Sequence, residues 1–395
     1  MTCRIGNTVV RLLRLIAASC IVLACLLAVG CAQSSPQSAS NDSDAAASAA
    51  SESGAADNAQ AGVRAVTDSV GRTVEVPLEC KRIAALDSFA GEALVMAGAG
   101  PYMVAAPGGV SSDVILTQVY PELVDMPAPV SGGTVNIESL WALEPDIALV
   151  KSSLHYSSDE IAKLDKLGIP YLVVGYQSVD EQIAALEMIG SILPEEQSAR
   201  MDKIVEAYRN AVARVEACAA KVSESEAVRV YHSINQAVLT DGASSIGADW
   251  VARVGAVDVS ANEESTSNQG DFQATLEQVF LWDPDVVICN EATTADYLLS
   301  DSKWTGLRAV AEGRVYAIPI GATRWGQRGS VETWFAMMWL GKLVYPEQYA
   351  DIDLHAEVVE FYKDVLGVEV DDDLYDQMIS GRDMRKKPTG DGARN

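Results

Sequence analysis

The chain has 395 residues, with 29 Lys and Arg against 55 Asp and Glu and a formal net charge of −26. So acidic a protein is excluded as a nucleic-acid binder, which needs clustered cations to neutralise phosphate. Adsorption to anionic lipid is disfavoured for the same reason.

The first thirty residues carry Arg4, Arg11 and Arg14 and no acid, and an apolar run from Leu15 to Gly30 follows. That run is shorter than the roughly 20 residues of a membrane-spanning helix. A basic start, a short apolar core and a small-residue end mark a secretory signal. The run closes on Leu27-Ala28-Val29-Gly30-Cys31, which resembles a bacterial lipobox. This predicts a signal peptide over 1–30 and a diacylglycerol on Cys31, placing the protein on the extracytoplasmic face of the cell membrane. A plain signal or an uncleaved anchor is the alternative. Cys20 and Cys25 fit less well, because apolar sequence continues beyond both. Loss of the three arginines takes the charge from −26 to −29.

Residues 31–62 are nearly all Ser, Ala, Gln, Asn, Asp, Glu and Gly. They hold too little apolar surface to offset ordering entropy, so a disordered tether is expected. From Val63 the composition becomes globular, and the roughly 320 residues that follow exceed what one core usually supports, so two lobes are expected. Cys80, Cys218 and Cys289 are far apart and odd in number, which indicates neither a disulfide framework nor a zinc site.

Short apolar runs alternating with helical patterns predict an α/β fold with largely parallel sheets. In a first lobe (63–178) strands are read near Arg82–Leu86, Met103–Ala105, Asp146–Val150 and Tyr171–Val174. Helices are read at Ala90–Ala97, Ile137–Leu143 and Ser158–Leu167. Connecting helices (179–222) comprise Asp180–Ile192 and a long one from Pro194 to about Lys221. In the latter, Met201, Ile204, Val205, Tyr208, Ala211, Val212 and Val215 form a continuous apolar stripe. In a second lobe (223–383) strands are read near Val228–Ser233, Asp285–Cys289 and Val315–Ile318. Helices are read at Gly247–Val254, Leu276–Leu281 and Leu307–Glu312, and 384–395 is a disordered tail. The halves echo each other: Ile137–Ile147 and Leu276–Val286 align at an offset of 139 in their Glu, their Pro-Asp and their apolar positions.

The run Val66-Thr67-Asp68-Ser69-Val70-Gly71-Arg72-Thr73-Val74-Glu75-Val76-Pro77, then Lys81-Arg82-Ile83-Ala84-Ala85-Leu86, resembles the opening of ferric-siderophore, haem and cobalamin binding proteins of ABC importers. The helix-Pro-Asp-strand repeats and the helix Thr333–Leu343 leading into Tyr345-Pro346-Glu347 are similar too. The resemblance implies two Rossmann-like lobes joined by one long rigid helix and a ligand in the cleft. It also implies docking on an ABC permease with its ATPase. By motif position the docking glutamates would be Glu138 and Glu277. Each also sits in a first helical turn, after Asn136 and Thr275 as N-caps, where a carboxylate favours the helix dipole.

Ligand contacts are expected on loops after strand C-terminal ends: Asp87–Ala90, Pro107–Ser112, Lys151–Tyr156, Tyr231–Gln236, Asn290–Tyr297 and Gly321–Gly329. In the last loop, Arg324, Trp325 and Arg328 set two guanidiniums beside an indole, suited to an anion with a flat body. The alternative is a surface Arg pair beside a core Trp. His155-Tyr156 and Tyr231-His232, one pair per lobe, are haem-iron ligand types and equally ordinary cleft liners. With His355 on a surface helix, a free-metal site is not indicated, and no resident cofactor is expected. Trp250, Trp282, Trp304, Trp334 and Trp339 are assigned to packing, and Asp371–Asp373 to a helix start.

The leading reading is a monomeric, lipid-anchored substrate-binding subunit of an importer for a ferric-siderophore-type iron chelate, with haem or a corrinoid as alternatives. It performs no catalysis. An extracytoplasmic enzyme or a sensory lipoprotein on the same fold is the rival class; no P-loop, G-x-S-x-G or H-E-x-x-H motif is present.

Overall fold

Apolar runs read from the sequence become two sheets, each flanked by helices. The computed structural model describes residues 62–267, 270–382 and 384, all within a unit spanning Ala59–Asn395. The signal segment, Cys31, the tether as far as residue 61, and residues 385–395 lie outside the described residues. No helix among the described residues is long and apolar enough to cross a membrane.

A hairpin comes first, β1 (Val63–Thr67) pairing antiparallel with β2 (Thr73–Pro77). Its turn is organised by the buried Asp68, which accepts from the Arg72 amide and guanidinium at 2.9 and 2.7 Å. Gly71 supplies the left-handed residue the turn needs, at φ 81°. Asp68 also accepts from the Val173 amide at 3.1 Å, so the hairpin hangs on the edge of the first sheet.

That sheet holds β3 (Ile83–Ala85), β4 (Met103–Ala105), β7 (Ile147–Lys151) and β8 (Tyr171–Val174) in the order β4-β3-β7-β8, all parallel. A two-residue hairpin of β5 (Val130–Ser131) and β6 (Thr134–Val135) stands apart from it. β3 and β8 are buried along their whole length, the pattern of strands covered on both faces. The second sheet contains β9 (Arg229–Ser233), β10 (Leu239–Asp241), β11 (Val257–Asp258), β12 (Asp271–Gln273), β13 (Val286–Cys289) and β14 (Val315–Ala317). Its order is β12-β10-β9-β13-β14, with β11 beside β9. β9, β11, β13 and β14 are parallel, whereas β10 and β12 run antiparallel at one edge.

Between the sheets, helix Val179–Ser191 is followed by the 25-residue helix Glu195–Ala219. The stripe Met201, Ile204, Val205, Tyr208, Ala211, Val212 and Val215 is buried as its spacing requires. Tyr208 stacks near Trp334 of helix Thr333–Val344, ring centroids 4.7 Å apart, and donates to Gln182. One hydrophobic cluster runs from Ile83 and Leu149 of the first sheet through this helix to Val230 and Ile288 of the second. The lobes therefore share packing at their junction, which restricts their relative motion.

The sequence repeat is a structural one. Asp146 accepts from the Arg82 amide at 2.9 Å, and Asp285 from the Arg229 amide at 2.8 Å. The Arg82 guanidinium reaches back to the Leu143 carbonyl at 2.6 Å, and Arg229 to Trp282 at 2.7 Å. Glu144 and Asp283, also 139 apart, both take positive φ, at 43° and 38°. In each lobe the Pro-Asp turn thus staples a short helix to the start of the first parallel strand.

Candidate functional site

The C-terminal ends of the parallel strands of both sheets face a polar cleft. From the first lobe come Asp87 and Ser88 after β3, Pro107 after β4, Lys151 at the end of β7, and Gly175–Gln177 after β8. From the second come His232 and Asn235 on and after β9, Asn290 after β13, and Gly326–Arg328 after β14. This is where open α/β sheets bind ligands, because the strand termini leave backbone groups and loop side chains free to converge.

Three cavities adjoin here, of about 190, 350 and 350 Å³, and Lys151 and Arg328 line all of them. Arg328 is held by an ion pair with Asp271 of β12. Its loop is gripped from the first lobe and the connecting helix: the Gly329 amide donates to Tyr176 Oη at 3.0 Å, and Gln182 Nε2 donates to the Ser330 carbonyl at 3.0 Å. The Val331 amide donates to Glu92 at 2.9 Å. Lys151 differs. Among the described residues its ammonium forms no hydrogen bond or ion pair. Its field reaches Asp87, whose carboxyl is raised by burial while Lys151 works to lower it.

Deeper in the second lobe, His232 is buried with Nδ1 2.6 Å from Asp241 and Nε2 2.8 Å from an Asn290 oxygen. Burial opposes its charge, but Asp241 and Asn290 outweigh that and hold its pKa above the ordinary value. Asp258, behind this group, is pushed up to about 7 by burial and by repulsion from Asp241. The cleft therefore presents Lys151, Arg328 and a charge-stabilised imidazole to one polar space.

The structure separates the residues read from the sequence. Lys151, Arg328, Tyr156 and His232 line the cleft. Trp325 does not: its indole is fully buried, its ring 5.2 Å from Phe335, so it offers no face to a ligand. Arg324 is also buried, donating to the Ile318 carbonyl at 3.3 Å and pairing with Glu291. Tyr231 lies in a hydrophobic cluster with its hydroxyl on the Ala237 carbonyl at 3.0 Å. His155 is half-buried beside Tyr156, whose ring is exposed at the rim. The four haem-ligand types are thus not gathered around one point: Tyr231 and His232 are engaged inside the second lobe. Asp241 and Asp271 lay outside the sequence reading because they sit on β10 and β12, three-residue antiparallel strands too short to show a period.

Away from the cleft, Glu138 and Glu277 are exposed in the first turns of Ile137–Trp141 and Leu276–Trp282. Asn136 caps the first by accepting from the Ser139 amide at 3.0 Å, and Thr275 and Gln278 form a capping box on the second. The cap residues satisfy the helix ends, leaving both carboxylates to solvent.

Residues 83–320 match the periplasmic binding protein family. The chain is 25% identical over 327 residues to the molybdate-binding protein MolA of Haemophilus influenzae, covering 76% of this chain and 90% of the relative. It is 26% identical over 293 residues to the ABC transporter substrate-binding lipoprotein YvrC of Bacillus subtilis, covering 72% and 87%. Among solved structures, MolA bound to molybdate superposes with a TM-score of 0.69 at 23% identity, over 78% of this chain and 99% of that one. The periplasmic vitamin B12 binding protein BtuF of Vibrio cholerae does so with a TM-score of 0.55 at 20% identity, over 69% and 99%. These structural likenesses are likenesses of fold.

Proposed function

The chain belongs to the periplasmic binding protein family, and from that premise we propose that it is the substrate-binding subunit of an ABC importer for an anionic solute. Lys151 carries this reading: a cation without a partner among the described residues stands in the wall shared by all three cleft cavities. With Arg328 opposite, it would hold the anion by charge-assisted hydrogen bonds from both lobes. A compact oxyanion fits best, because the relative MolA is a molybdate-binding protein and the smallest cavity, about 190 Å³, is lined by Lys151, Asn290, His232 and Arg328, with its carboxylates Asp241 and Asp271 paired to the last two. An anionic iron chelate of the siderophore type is the second reading, favoured by the two adjoining cavities of about 350 Å³, which leave room for an organic body. Haem and corrinoids draw less support, since Tyr231 and Trp325 are packed away from the cleft.

In this role the protein does no chemistry. It is delivered to a permease on which Glu138 and Glu277, one per lobe, would meet basic groups. We read Cys31 as the lipid attachment and residues 32–62 as a tether that keeps the receptor near its permease; two Bacillus subtilis relatives are named lipoproteins.

The test is calorimetric titration of residues 59–395 with molybdate, tungstate, sulfate, phosphate, ferric chelates, haem and cobalamin. Binding of an oxyanion, weakened about 10- to 100-fold in Lys151→Ala, is expected. A response to cobalamin or haem alone would overturn the anion assignment. For docking, Glu138→Arg with Glu277→Arg should abolish uptake while leaving solute affinity intact.

A further inference from the structure

The two most exposed large apolar side chains among the described residues are Leu281, 83% exposed, and Trp141, 65% exposed. Both belong to the internal repeat, one copy in each lobe, on the short helices Leu276–Trp282 and Ile137–Trp141. Helical spacing puts each on the same face as a glutamate: Trp141 lies three residues after Glu138, and Leu281 four after Glu277. The two apolar residues are not at equivalent repeat positions. At an offset of 139, Trp141 corresponds to Phe280, which turns inward onto Trp304 with ring centroids 6.4 Å apart. Leu281 corresponds to Ala142. Each lobe thus displays an apolar group beside an exposed carboxylate by a different substitution.

Leaving a tryptophan and a leucine in water forgoes the burial free energy that each would gain in a core. Isolated exposed apolar residues are common and need no cause. Two maxima falling on the two copies of one motif, each beside an acid, point to a recognition surface. Trp is also among the residue types enriched where binding energy concentrates in protein interfaces. The paired acid selects the occupant: a surface with an apolar recess flanked by Lys or Arg, offered twice.

We propose that Trp141 and Leu281 are the apolar anchors by which this protein docks on its permease, each seated beside a cation that receives Glu138 or Glu277. The proposal rests on the reading of the chain as an importer's binding subunit. The carboxylates would steer approach and register, and the apolar groups would supply the residence time.

The experiment uses the full-length lipoprotein and an ABC permease–ATPase complex from the same cell, reconstituted in nanodiscs, with docking affinity read by interferometry. Trp141→Ala should weaken docking about tenfold as a buried aromatic anchor, Leu281→Ala about tenfold through lost apolar burial, and the double variant about a hundredfold. Melting temperature and solute affinity should stay at wild-type values, because neither side chain packs in the core. Wild-type docking by the double variant, with docking lost in Glu138→Arg/Glu277→Arg, would overturn the anchors and leave the importer reading standing. Wild-type docking by both double variants would overturn the anchors together with the glutamate contacts, and no docking by the native protein would overturn the importer reading itself. Two further outcomes would replace the occupant and sink the proposal. One is wild-type self-association that the double variant loses. The other is binding of a Cys31→Ser form to phosphatidylglycerol vesicles that the same substitutions abolish.

Discussion

Glu92, on the first-lobe helix Ser88–Met96, and Glu332, at the start of helix Thr333–Val344, are both fully buried and share Thr323 as a partner. Thr323 Oγ1 lies 3.0 Å from both oxygens of Glu92, and the Thr323 amide donates to Glu332 at 2.9 Å. Thr323 Oγ1 is also 2.7 Å from Ser330 Oγ, and Tyr362 donates a short hydrogen bond to Glu332. One hydroxyl proton cannot serve both Glu92 and Ser330. A protonated Glu92 donating to Thr323 resolves the conflict and leaves Thr323 to donate onward. Burial, and then repulsion by Glu332 with a smaller part from Asp113, holds Glu92 well above the ordinary carboxylate range. Burial pushes Glu332 up to about 7, against the hydrogen bonds from Thr323 and Tyr362.

This junction makes stability depend on pH with a definite sign. A carboxyl whose folded pKa is raised binds its proton more tightly in the folded state. Its contribution is complete below the unfolded value of 4.5 and is lost as pH rises through about 7. Glu332 alone is worth on the order of 3 kcal/mol across that window. Asp258 and Asp87, also raised, act in the same direction. Denaturant melts should therefore show stability falling from about pH 5 to pH 8. Glu332→Gln, which stays neutral, should flatten that slope; an unchanged slope would show that Glu332 does not titrate in this range.

Lys151→Ala separates binding from folding. Its ammonium has no partner to lose among the described residues, so stability should move by less than about 0.5 kcal/mol. A charge-assisted hydrogen bond to the solute contributes roughly 1.5–3 kcal/mol, so affinity should fall about 10- to 100-fold. Arg328→Ala should lower both, because it leaves Asp271 without its ion pair in the cleft wall. Calorimetry and thermal melts on the two variants check the contrast. Equal loss of stability in both would place Lys151 in the fold and not in the site.

Trp325→Ala tests the reassignment of the indole. Truncation of a fully buried Trp beside Phe335 should destabilise by about 3–5 kcal/mol, with solute affinity of the folded fraction unchanged. Trp325→Phe should be far milder, since the buried indole N–H has no hydrogen-bond partner among the described residues. A large affinity loss in Trp325→Phe with normal stability would return the indole to the site.

What could be read from the sequence followed from how local the cause was. Tyr171–Val174 and Ser158–Leu167 match their predicted bounds because apolar runs and helical periods are set within a few residues. The Pro-Asp repeat was legible because Asp146 and Asp285 do the same job, holding the amide that starts a neighbouring strand. Gly326, Gln327 and Arg328 of the Gly321–Gly329 loop line a cleft cavity, but which of the loop's side chains face it is decided by distant segments. Trp250 donates to the Gly326 carbonyl at 3.0 Å, and Tyr176 and Glu92 hold the loop from the other lobe. That packing turns Trp325 inward and Arg328 outward, and nothing in Arg324-Trp325-Gly326-Gln327-Arg328 itself distinguishes the two. The pairing of His232 with Asp241 was likewise hidden, since β10 has three residues and no visible period.

Gly247 offers a test of that pairing from outside it. It lies in the first turn of helix Ile246–Arg253, and a Cβ there would overlap the Asp241 carboxylate. Gly247→Ala should displace Asp241 from His232 and destabilise by about 1–3 kcal/mol through overpacking. Without Asp241, burial of the imidazole is no longer outweighed, and the His232 pKa should drop below its ordinary value. In the native protein the raised pKa gives stability that is complete below about pH 6.5 and lost as pH rises through the folded value. In the variant the sign reverses, and stability is lost as pH falls through the depressed value. NMR titration of the His232 ring follows the proton directly, and calorimetry follows the solute. An anion near His232 should bind more weakly at neutral pH once the ring is neutral. If the ring titrates as in the native protein while affinity falls, Asp241 has not moved, and the close approach of Gly247 serves the cleft wall and not the imidazole.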